Sequence, residues 1–487
     1  MNGSELRLLV DGQLRRASDG ATYDNINPTT AAPAGTAPEA TKADADEAIS
    51  AARRAFDDSD WSRNVELRVR VLRQLDVALR EHTAELTELT IAEVGASNAA
   101  CSTVQVAAPL DIVGWNADLA ERFDWRRDLG VRDTIGGPMR RWTEREAVGV
   151  VAAITPWNVP THINLAKIGP ALAAGATVVL KPAPDTPWTA LFLGELLATH
   201  TDAPAGVLNV VTSSDKAFGE LLTTDPRVDM ISFTGSTATG KRIMAAAAPQ
   251  LTKVFLELGG KSVHLVLDDV ADMGAALSFA AFGTALVCGQ GCALTTRVLL
   301  PRARYDEGVE QLAALMAGLP VGDPADPATV MGPLINAAQL ERVEGFVSGA
   351  QAQGARVVTG GNRIADLAPG YFFEPTLLAN VTNDMTVARE EIFGPVLVAI
   401  PHDGDDHAVA IANDSAFGLS GAIFASSDER AHAVAQRIRT GTMSINGGVW
   451  FAPDVPFGGY KQSGIGREMG VEGFEEYLEV KAYAAPV

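Results

Sequence analysis

The most constraining feature of the chain is a regular alternation of strand-like and helix-like segments that begins near Ala147. Four short β-branched or apolar runs predict strands at residues 149–154, 177–180, 206–211 and 230–233. Segments of helical composition lie between and after them, at residues 163–174, 189–199, 216–223 and 237–247. This alternation predicts a doubly wound, Rossmann-like parallel sheet whose ligands gather at the carboxyl ends of its strands.

A second alternating series follows Gly259 and predicts a second α/β domain, with the boundary near residues 257–261. Its expected strands are residues 263–267, 297–300, 355–358, 396–400 and 421–424. Residues 127–144 and 474–485 differ, because they alternate in a strand-like way without a neighbouring crossover helix. They predict a small β arm, which either pairs with another subunit or folds as a hairpin on its own chain.

Charge and cysteine content exclude several classes of protein. The 487 residues carry a formal net charge of −21, which disfavours general binding to nucleic acid or to anionic membranes. Three cysteines cannot form a disulfide framework in a chain of this length, which indicates a reducing compartment. The first residues lack the apolar core of a signal peptide, and the longest apolar stretch, residues 275–289, is shorter than the about 20 residues that span a bilayer. A cytoplasmic protein without membrane contact is expected.

Two glycines, Gly235 and Gly240, follow a predicted strand and open a predicted helix. Glycines at this place allow a tight turn and the close approach of a ligand, and the free N–H groups of a helix start favour phosphate. The spacing is G-x-x-x-x-G rather than the dinucleotide pattern G-x-G-x-x-G. Nucleotide binding and a plain strand-to-helix turn both remain open from this motif alone.

Cys292 lies in the sequence Gly-Gln-Gly-Cys just after the apolar stretch, at the expected end of a buried helix. A thiol flanked by glycines can be accessible to substrate and close to backbone donors, but a buried structural cysteine is the alternative. Cys288 is four residues earlier, and no neighbouring Cys or His completes a tetrahedral metal set. The nearest histidine, His264, belongs to a strand-like run and is expected in the core. No metal is predicted.

Three further polar residues stand at the ends of apolar runs. Glu257 precedes a double glycine, and burial there raises a carboxyl pKa and suits it to general-base work, unless it pairs with Lys261. Asn158 follows a strand end, where its amide can donate to a developing oxyanion. Lys181 also ends a strand, where a cation can meet a ribose or a phosphate.

Taken in order, the motifs of the chain resemble those of the aldehyde dehydrogenase superfamily over nearly its whole length. They are Pro-Trp-Asn at 156–158, the run at 167–175, Leu-Lys-Pro at 180–182, Phe-Thr-Gly-Ser at 233–236, Glu-Leu-Gly-Gly-Lys-Ser at 257–262, Gly-Gln-Gly-Cys at 289–292, Glu-Ile-Phe-Gly-Pro at 391–395 and the run at 456–468. The resemblance implies that Cys292 is the nucleophile, Glu257 the general base and Asn158 the oxyanion donor. It also implies that Lys167 acts in a proton relay.

The resemblance further implies a cofactor site and a substrate site. The expected cofactor contacts are Ile154, Thr155, Pro156, Trp157, Lys181, Gly235, Ser236, Gly240, Leu258, Glu391 and Phe393. NAD is the expected cofactor, with NADP as an alternative, because many NAD-using relatives carry Glu where this chain has Pro184. The expected substrate pocket contains Gly291, Ala293, Trp450 and Phe451, which suits an apolar aliphatic, terpenoid or aromatic aldehyde, unless the two aromatic side chains only pack the core.

The implied organisation has three parts. A dinucleotide-binding domain comprises residues 1–125 and 149–258, a catalytic domain comprises residues 259–460, and residues 126–148 and 472–487 form an oligomerisation arm. A homodimer or homotetramer is expected. The expected activity is oxidation of an aldehyde to the acid through a thiohemiacetal and a thioester. A cofactor-independent thiol esterase or acyl-transferase, and a catalytically silent member of the fold, are the alternatives.

Overall fold

The computed structural model describes residues 3–215 and 217–487. Its strands, numbered along the chain, are β1 (Leu8–Val10), β2 (Gln13–Arg15), β3 (Thr22–Asn27), β4 (Ala32–Pro38), β5 (Arg126–Thr134), β6 (Gly137–Ala147), β7 (Val150–Ile154), β8 (Thr177–Lys181), β9 (Leu208–Val210), β10 (Met230–Thr234), β11 (Lys253–Glu257), β12 (Val263–Val266), β13 (Arg297–Pro301), β14 (Arg356–Thr359), β15 (Thr376–Ala379), β16 (Val396–His402), β17 (Gly421–Phe424), β18 (Ser444–Ile445), β19 (Gly464–Ile465) and β20 (Leu478–Pro486).

The helices connect these strands and cover the sheets. They are α1 (Lys42–Asp58), α2 (Val65–Glu81), α3 (Thr83–Val94), α4 (Asn98–Ala100), α5 (Asp111–Arg122), α6 (Pro160–Ala174), α7 (Pro187–His200), α8 (Phe218–Thr224), α9 (Thr237–Ala247), α10 (Met273–Leu286), α11 (Tyr305–Ala317), α12 (Ala337–Ala352), α13 (Thr386–Arg389), α14 (Asp405–Asn413), α15 (Asp428–Ala435) and α16 (Gly470–Glu475). Over the described ranges, every helix is too short or too polar to cross a membrane.

The first sheet is built around five parallel strands in the order β9-β8-β7-β10-β11. Strands β1 and β2 extend it antiparallel at one edge, and β19 pairs antiparallel with β11 at the other. The chain starts at β7, winds to one side through β8 and β9, and then returns to the other side at β10. The order therefore reverses between β7 and β10, which is the switch point where doubly wound sheets bind their ligands.

The second sheet has the order β14-β15-β16-β13-β12-β17-β18 and is parallel except for the pairing of β14 with β15. Its strands are apolar on both faces, as expected for a parallel sheet covered by helices. In β13, Leu299 packs into the core on one face, whereas Val298 and Leu300 pack into the core on the other. The two α/β units and their mixed sheets match the fold class that the sequence predicted.

The third sheet is antiparallel and joins the β5–β6 hairpin to the C-terminal strand β20. All nine residues of β5 are exposed, and β20 is mostly exposed. The strand-like alternation of residues 127–144 and 474–485 thus corresponds to strands that pair within one chain. Residues 472–475 of the expected arm lie in helix α16 rather than in a strand.

The strand predictions were accurate where β-branched residues form continuous runs, as in β7, β8, β10 and β12. The strands that were not predicted include β11, whose sequence Lys-Val-Phe-Leu-Glu has charged ends, and the short β1, β2, β15, β18 and β19, as well as the β3–β4 hairpin. The helix predicted over residues 216–223 corresponds to α8, and its first residue, Lys216, lies outside the described residues. His264 is buried in β12, as expected.

Candidate active site

A cavity of about 380 Å³ lies where the two large sheets face each other. Asn158, Thr234 and Glu257 reach it from the carboxyl ends of β7, β10 and β11 in the first sheet. The second sheet contributes its amino-terminal edge, where Cys292 precedes β13 and Ser420 precedes β17. A thiol, a carboxyl group and an amide that are far apart in sequence therefore face one space.

Cys292 does not end a buried helix, which corrects the expectation from the sequence. Helix α10 ends at Leu286, and Cys292 follows in a loop, where its side chain is half-buried. This loop packs tightly on the glycine pair after β11, because a Cβ at Gly260 would lie 2.3 Å from the carbonyl oxygen of Cys292. The surroundings raise the pKa of the thiol well above its usual range, first through burial and then through the carboxyl groups of Glu257 and Glu391. At rest the sulfur is protonated.

Glu257 is the last residue of β11 and its side chain is buried. Neither carboxyl oxygen accepts a hydrogen bond of ordinary geometry among the described residues, so the pairing with Lys261 considered from the sequence does not occur, although the thiol of Cys292 is close enough to lower the pKa of Glu257 as a donor. Burial, followed by the charge of Glu468, raises the pKa of Glu257 well above its ordinary value. A buried carboxyl group without a partner is costly for the fold, but it is suited to exchanging a proton.

Asn158 is held by two glutamines that the sequence interpretation did not select. Its Nδ2 donates to the carbonyl of Gln290 at 2.8 Å, and its own carbonyl accepts from Nε2 of Gln105 at 2.8 Å. The buried Oδ1 has no partner. Because a primary amide carries two N–H groups, one remains to donate to a ligand in the cavity.

Lys167, on helix α6, forms a buried ion pair with Glu468, with 3.0 Å between Nζ and Oε1. Its ammonium group also donates to Ser232 at 3.3 Å and lies 4.8 Å from the ring centre of Phe255. Glu468 lines the cavity beside Glu257. Lys167 does not line the cavity itself but is linked to it through its ion pair with Glu468. Glu468 was not predicted as a site residue, because a single glutamate at the end of a motif gives no signal of burial.

The turn between β10 and α9 has the features of a phosphate site. Ser236 caps α9, its Oγ accepting from the backbone N–H of Thr239 at 3.2 Å. Gly240 is required by packing, since a Cβ there would lie 2.5 Å from Leu258. Gly235 donates its N–H to the carbonyl of Glu257 at 3.0 Å, which ties this turn to the end of β11.

The remaining predicted cofactor residues surround the same edge of the first sheet. Residues 154–157 continue β7, and Thr155 donates its N–H to the carbonyl of Lys181 at the end of β8. Burial lowers the pKa of Lys181 to about 8, and its Nζ donates to the carbonyl of Pro182 at 3.2 Å. From the second sheet, Glu391 accepts the N–H of Gly260 at 2.9 Å, and burial raises its pKa to about 7.

The four predicted substrate residues, Gly291, Ala293, Trp450 and Phe451, all line the cavity. Trp450 stacks on Phe457 with 5.1 Å between ring centres and also packs against the apolar core of the first domain. The side chain of Trp450 therefore both lines the cavity and packs against the core. Trp157 and Phe393, which were assigned to the cofactor site, form an edge-to-face pair at 5.3 Å.

Fold and site define a class of protein: a two-sheet α/β enzyme with a thiol, a carboxyl group and an amide in one apolar cavity beside a doubly wound sheet. No group of three or more potential metal ligands is arranged for an ion in the ranges 3–215 and 217–487. Residues 15–483 match the model of the aldehyde dehydrogenase family. The chain belongs to this family.

Similar proteins extend over the same length. The 3-succinoylsemialdehyde-pyridine dehydrogenase of Pseudomonas sp. is 40% identical over 476 residues, covering 97% of each chain. A Mycobacterium tuberculosis aldehyde dehydrogenase solved with NAD+ has a TM-score of 0.94 at 41% identity, covering 99% of this chain and 98% of that one. A variant of aldehyde dehydrogenase C from Pseudomonas syringae, solved with NAD+ and octanal, has a TM-score of 0.93 at 37% identity, with coverage of 99% and 98%.

Proposed function

We propose that this protein oxidises an apolar aldehyde to the carboxylic acid with NAD+, using Cys292 as the nucleophile. The observation that carries the proposal is the convergence of Cys292, Glu257 and Asn158 on one cavity with a largely apolar wall. Each group supplies what one stage of the reaction requires. Cys292 supplies a nucleophilic sulfur, Glu257 a proton acceptor, and Asn158 a donor for the developing oxyanion.

Attack on the aldehyde requires loss of the thiol proton. Glu257 is the carboxyl group with the largest effect on the pKa of the thiol, and Glu468 and Lys167 extend the path for that proton into the interior. The sulfur then bonds to the aldehyde carbon, whose oxygen becomes an alkoxide. The second N–H of Asn158 and the backbone N–H of Cys292 are the donors that hold this oxygen.

The residues around α9 fit a dinucleotide. The helix start with Ser236, the close approach at Gly240 and the buried ammonium of Lys181 supply backbone donors and a cation for phosphate and ribose groups. Glu391 is placed on the Gly259–Gly260 turn, between this edge and Cys292. NAD+ held by these residues would supply the hydride acceptor, so that loss of hydride from the tetrahedral carbon would leave a thioester on Cys292.

Hydrolysis of this thioester is the step that uses Glu257 as a base. Its raised pKa makes the carboxylate a strong acceptor for a proton of the attacking water once it has ionised. The water oxygen bonds to the acyl carbon, the carbon–sulfur bond breaks, and the carboxylic acid leaves. Lys167 and Glu468 provide the route by which Glu257 returns its proton.

The cavity wall supports an apolar substrate. It contains aromatic and aliphatic side chains, and among the described residues that line it there is no lysine or arginine. A carboxylate on the aldehyde would meet Glu257 and Glu468, and the described lining residues offer it no lysine or arginine as a partner. The octanal in the structure of the Pseudomonas syringae relative and the 3-succinoylsemialdehyde-pyridine in the name of the Pseudomonas enzyme are both compatible with such a wall.

A small panel tests the proposal. We expect hexanal and benzaldehyde to reduce NAD+ with a higher kcat/KM than succinic semialdehyde, and NAD+ to be used faster than NADP+ at equal concentration. A preference for succinic semialdehyde would overturn the apolar substrate, and a preference for NADP+ would overturn the cofactor assignment. Hydrolysis of an activated ester with no reduction of either cofactor would indicate a thiol esterase instead.

We also infer that residues 1–125 and 149–258 bind the dinucleotide, that residues 259–460 supply the nucleophile, and that the third sheet assembles two or four copies. The β5–β6 hairpin supports the last point, because Val131 and Ile135 expose apolar side chains beside its charged residues. Molecular mass in solution tests it: a dimer or tetramer is expected, and a monomer would contradict it.

A further inference from the structure

His162 is a polar side chain in the cavity wall that the proposed chemistry does not use. It lies on helix α6, lines the cavity and is only 7% exposed. Its Nδ1 is buried without a hydrogen-bond partner, and no hydrogen bond joins its Nε2 to any residue in the described ranges. The imidazole ring packs on Phe451 instead, with 4.6 Å between ring centres and a tilt of 38°.

The charge state of this imidazole follows from its surroundings. Burial, and then the ammonium of Lys167, lower the pKa of His162 to about 4. The charged group that acts on it is the ammonium of Lys167, which is paired with Glu468, and the ring of Phe451 packs against it. At neutral pH the side chain is therefore uncharged and offers one N–H donor and one lone-pair acceptor.

An imidazole buried without a partner is unfavourable in the protein alone, because a polar group has lost its water without gaining a bond. A ligand in the cavity can supply a partner to Nε2, the ring nitrogen that is not sealed from it. Because no residue in the described ranges fixes which nitrogen carries the proton, both tautomers are available. A hydroxyl group fits either one, since it donates to the bare nitrogen or accepts from the N–H.

We propose that His162 is a specificity-determining residue that hydrogen-bonds a neutral hydroxyl group on an aryl aldehyde substrate. The inference rests on the proposed function and refines its substrate class. The aromatic wall of Phe451, Trp450 and Phe457 favours a ring next to His162. A negatively charged substituent is disfavoured by the carboxyl groups of Glu257 and Glu468 in the same cavity.

Phenylacetaldehyde and its 2-, 3- and 4-hydroxy derivatives test this inference, because the methylene group insulates the aldehyde from the ring hydroxyl. We expect kcat/KM with NAD+ to be about tenfold higher for at least one hydroxy isomer than for phenylacetaldehyde, as one hydrogen bond provides. In His162→Leu we expect this ratio to fall to near one. His162→Gln, which keeps a donor and an acceptor, is expected to retain part of the preference.

Ile163→Leu is the matched control, since Ile163 lines the same cavity but carries no polar atom. Its hydroxy preference should equal that of the parent protein. Equal kcat/KM for all four aldehydes in the parent protein, or an unchanged preference in His162→Leu, would overturn the inference. Reduction of NAD+ by none of the aldehydes would instead overturn the proposed function. If His162→Leu does not fold, the preference of His162→Gln for the hydroxy isomer decides. The inference would be contradicted if His162→Gln kept the full preference of the parent protein while Ile163→Leu lost it.

Discussion

Two buried glutamates in this protein show how the same side chain can serve the fold in one place and chemistry in another. Glu93, on helix α3, accepts the backbone N–H groups of Trp188 and Thr189 at 2.8 and 2.9 Å, where α7 begins. The hydroxyl of Thr189 and the amide of Asn25 complete its partners. Glu257 is equally buried, but apart from the nearby thiol of Cys292 it has no hydrogen-bond partner among the described residues, and it faces a cavity.

Burial raises the pKa of both carboxyl groups, to about 7 for Glu93 and well above the ordinary value for Glu257. A raised pKa therefore does not distinguish a catalytic carboxyl group from a structural one. The difference lies in the hydrogen bonds: those of Glu93 join α7 to α3 and the β3–β4 hairpin, whereas Glu257 is left free to exchange a proton.

The largest effect is expected from the thiol that shares the cavity with Glu257. Cys292→Ala should lower aldehyde oxidation by about 10⁴-fold or more, because Cys292 is the only thiol among the described residues that line the cavity. NADH formation from hexanal measures the effect. Cys101→Ala is the control, since Cys101 is buried away from the cavity and burial raises its pKa to about 12. Appreciable turnover by Cys292→Ala would place the chemistry at another group.

The contrast between a structural role for Glu93 and a catalytic role for Glu257 is tested by the matched pair Glu257→Gln and Glu93→Gln. Glu257→Gln should lower steady-state turnover by about 10²- to 10⁴-fold, because water loses its base. Its free energy of unfolding should not decrease. Glu93→Gln should lower the free energy of unfolding by about 1–3 kcal/mol, because an amide NH₂ replaces an oxygen that accepts N–H donors.

Denaturant titration and kinetics on the folded protein separate the two roles. Glu93→Gln is expected to keep the kcat/KM of the parent protein below its unfolding transition. The comparison breaks if Glu93→Gln is inactive while folded, or if Glu257→Gln destabilises the protein and retains turnover.

The smallest effect concerns the pH at which Glu257 works. Hydrolysis needs the ionised carboxylate, so turnover limited by this step should rise with pH through the pKa of Glu257. Glu468→Gln removes a negative charge that raises this pKa, and it also releases the ammonium of Lys167. The rise in kcat should therefore move to lower pH, by about one unit. Glu479→Gln, at an exposed position of β20, should leave the profile in place. A shift to higher pH in Glu468→Gln would contradict the proposed coupling.

The sequence predicted those parts of the site that local patterns encode. Lys181 is the last residue of β8 and Asn158 lies in the loop after β7, and the parallel order brings such strand ends to one edge. The resemblance to a family assigned Cys292 and Glu257, which isolated motifs left undecided. Their burial, and the absence of a partner for Glu257, arise only when β11 is placed against the second sheet.

His162 and Glu468 show what local patterns do not contain. His162 lies within an apolar helix that is buried on every side, so nothing in its neighbours in sequence shows that it faces a cavity. Glu468 is bound by Lys167 from a position 301 residues earlier in the chain. Both assignments depend on contacts between distant segments.

The most direct test of whether Cys292 and Glu257 act on the same substrate is to identify the intermediate that accumulates when the carboxylate of Glu257 is removed. Glu257→Gln mixed with hexanal and NAD+ should form about one NADH per active site and then stall. Peptide mass spectrometry should find one added acyl group, and it should be on Cys292. A burst of NADH with the acyl group on Cys101 or Cys288, or with no acyl group on the protein, would contradict the convergence of sulfur 292 and carboxyl 257 on one substrate.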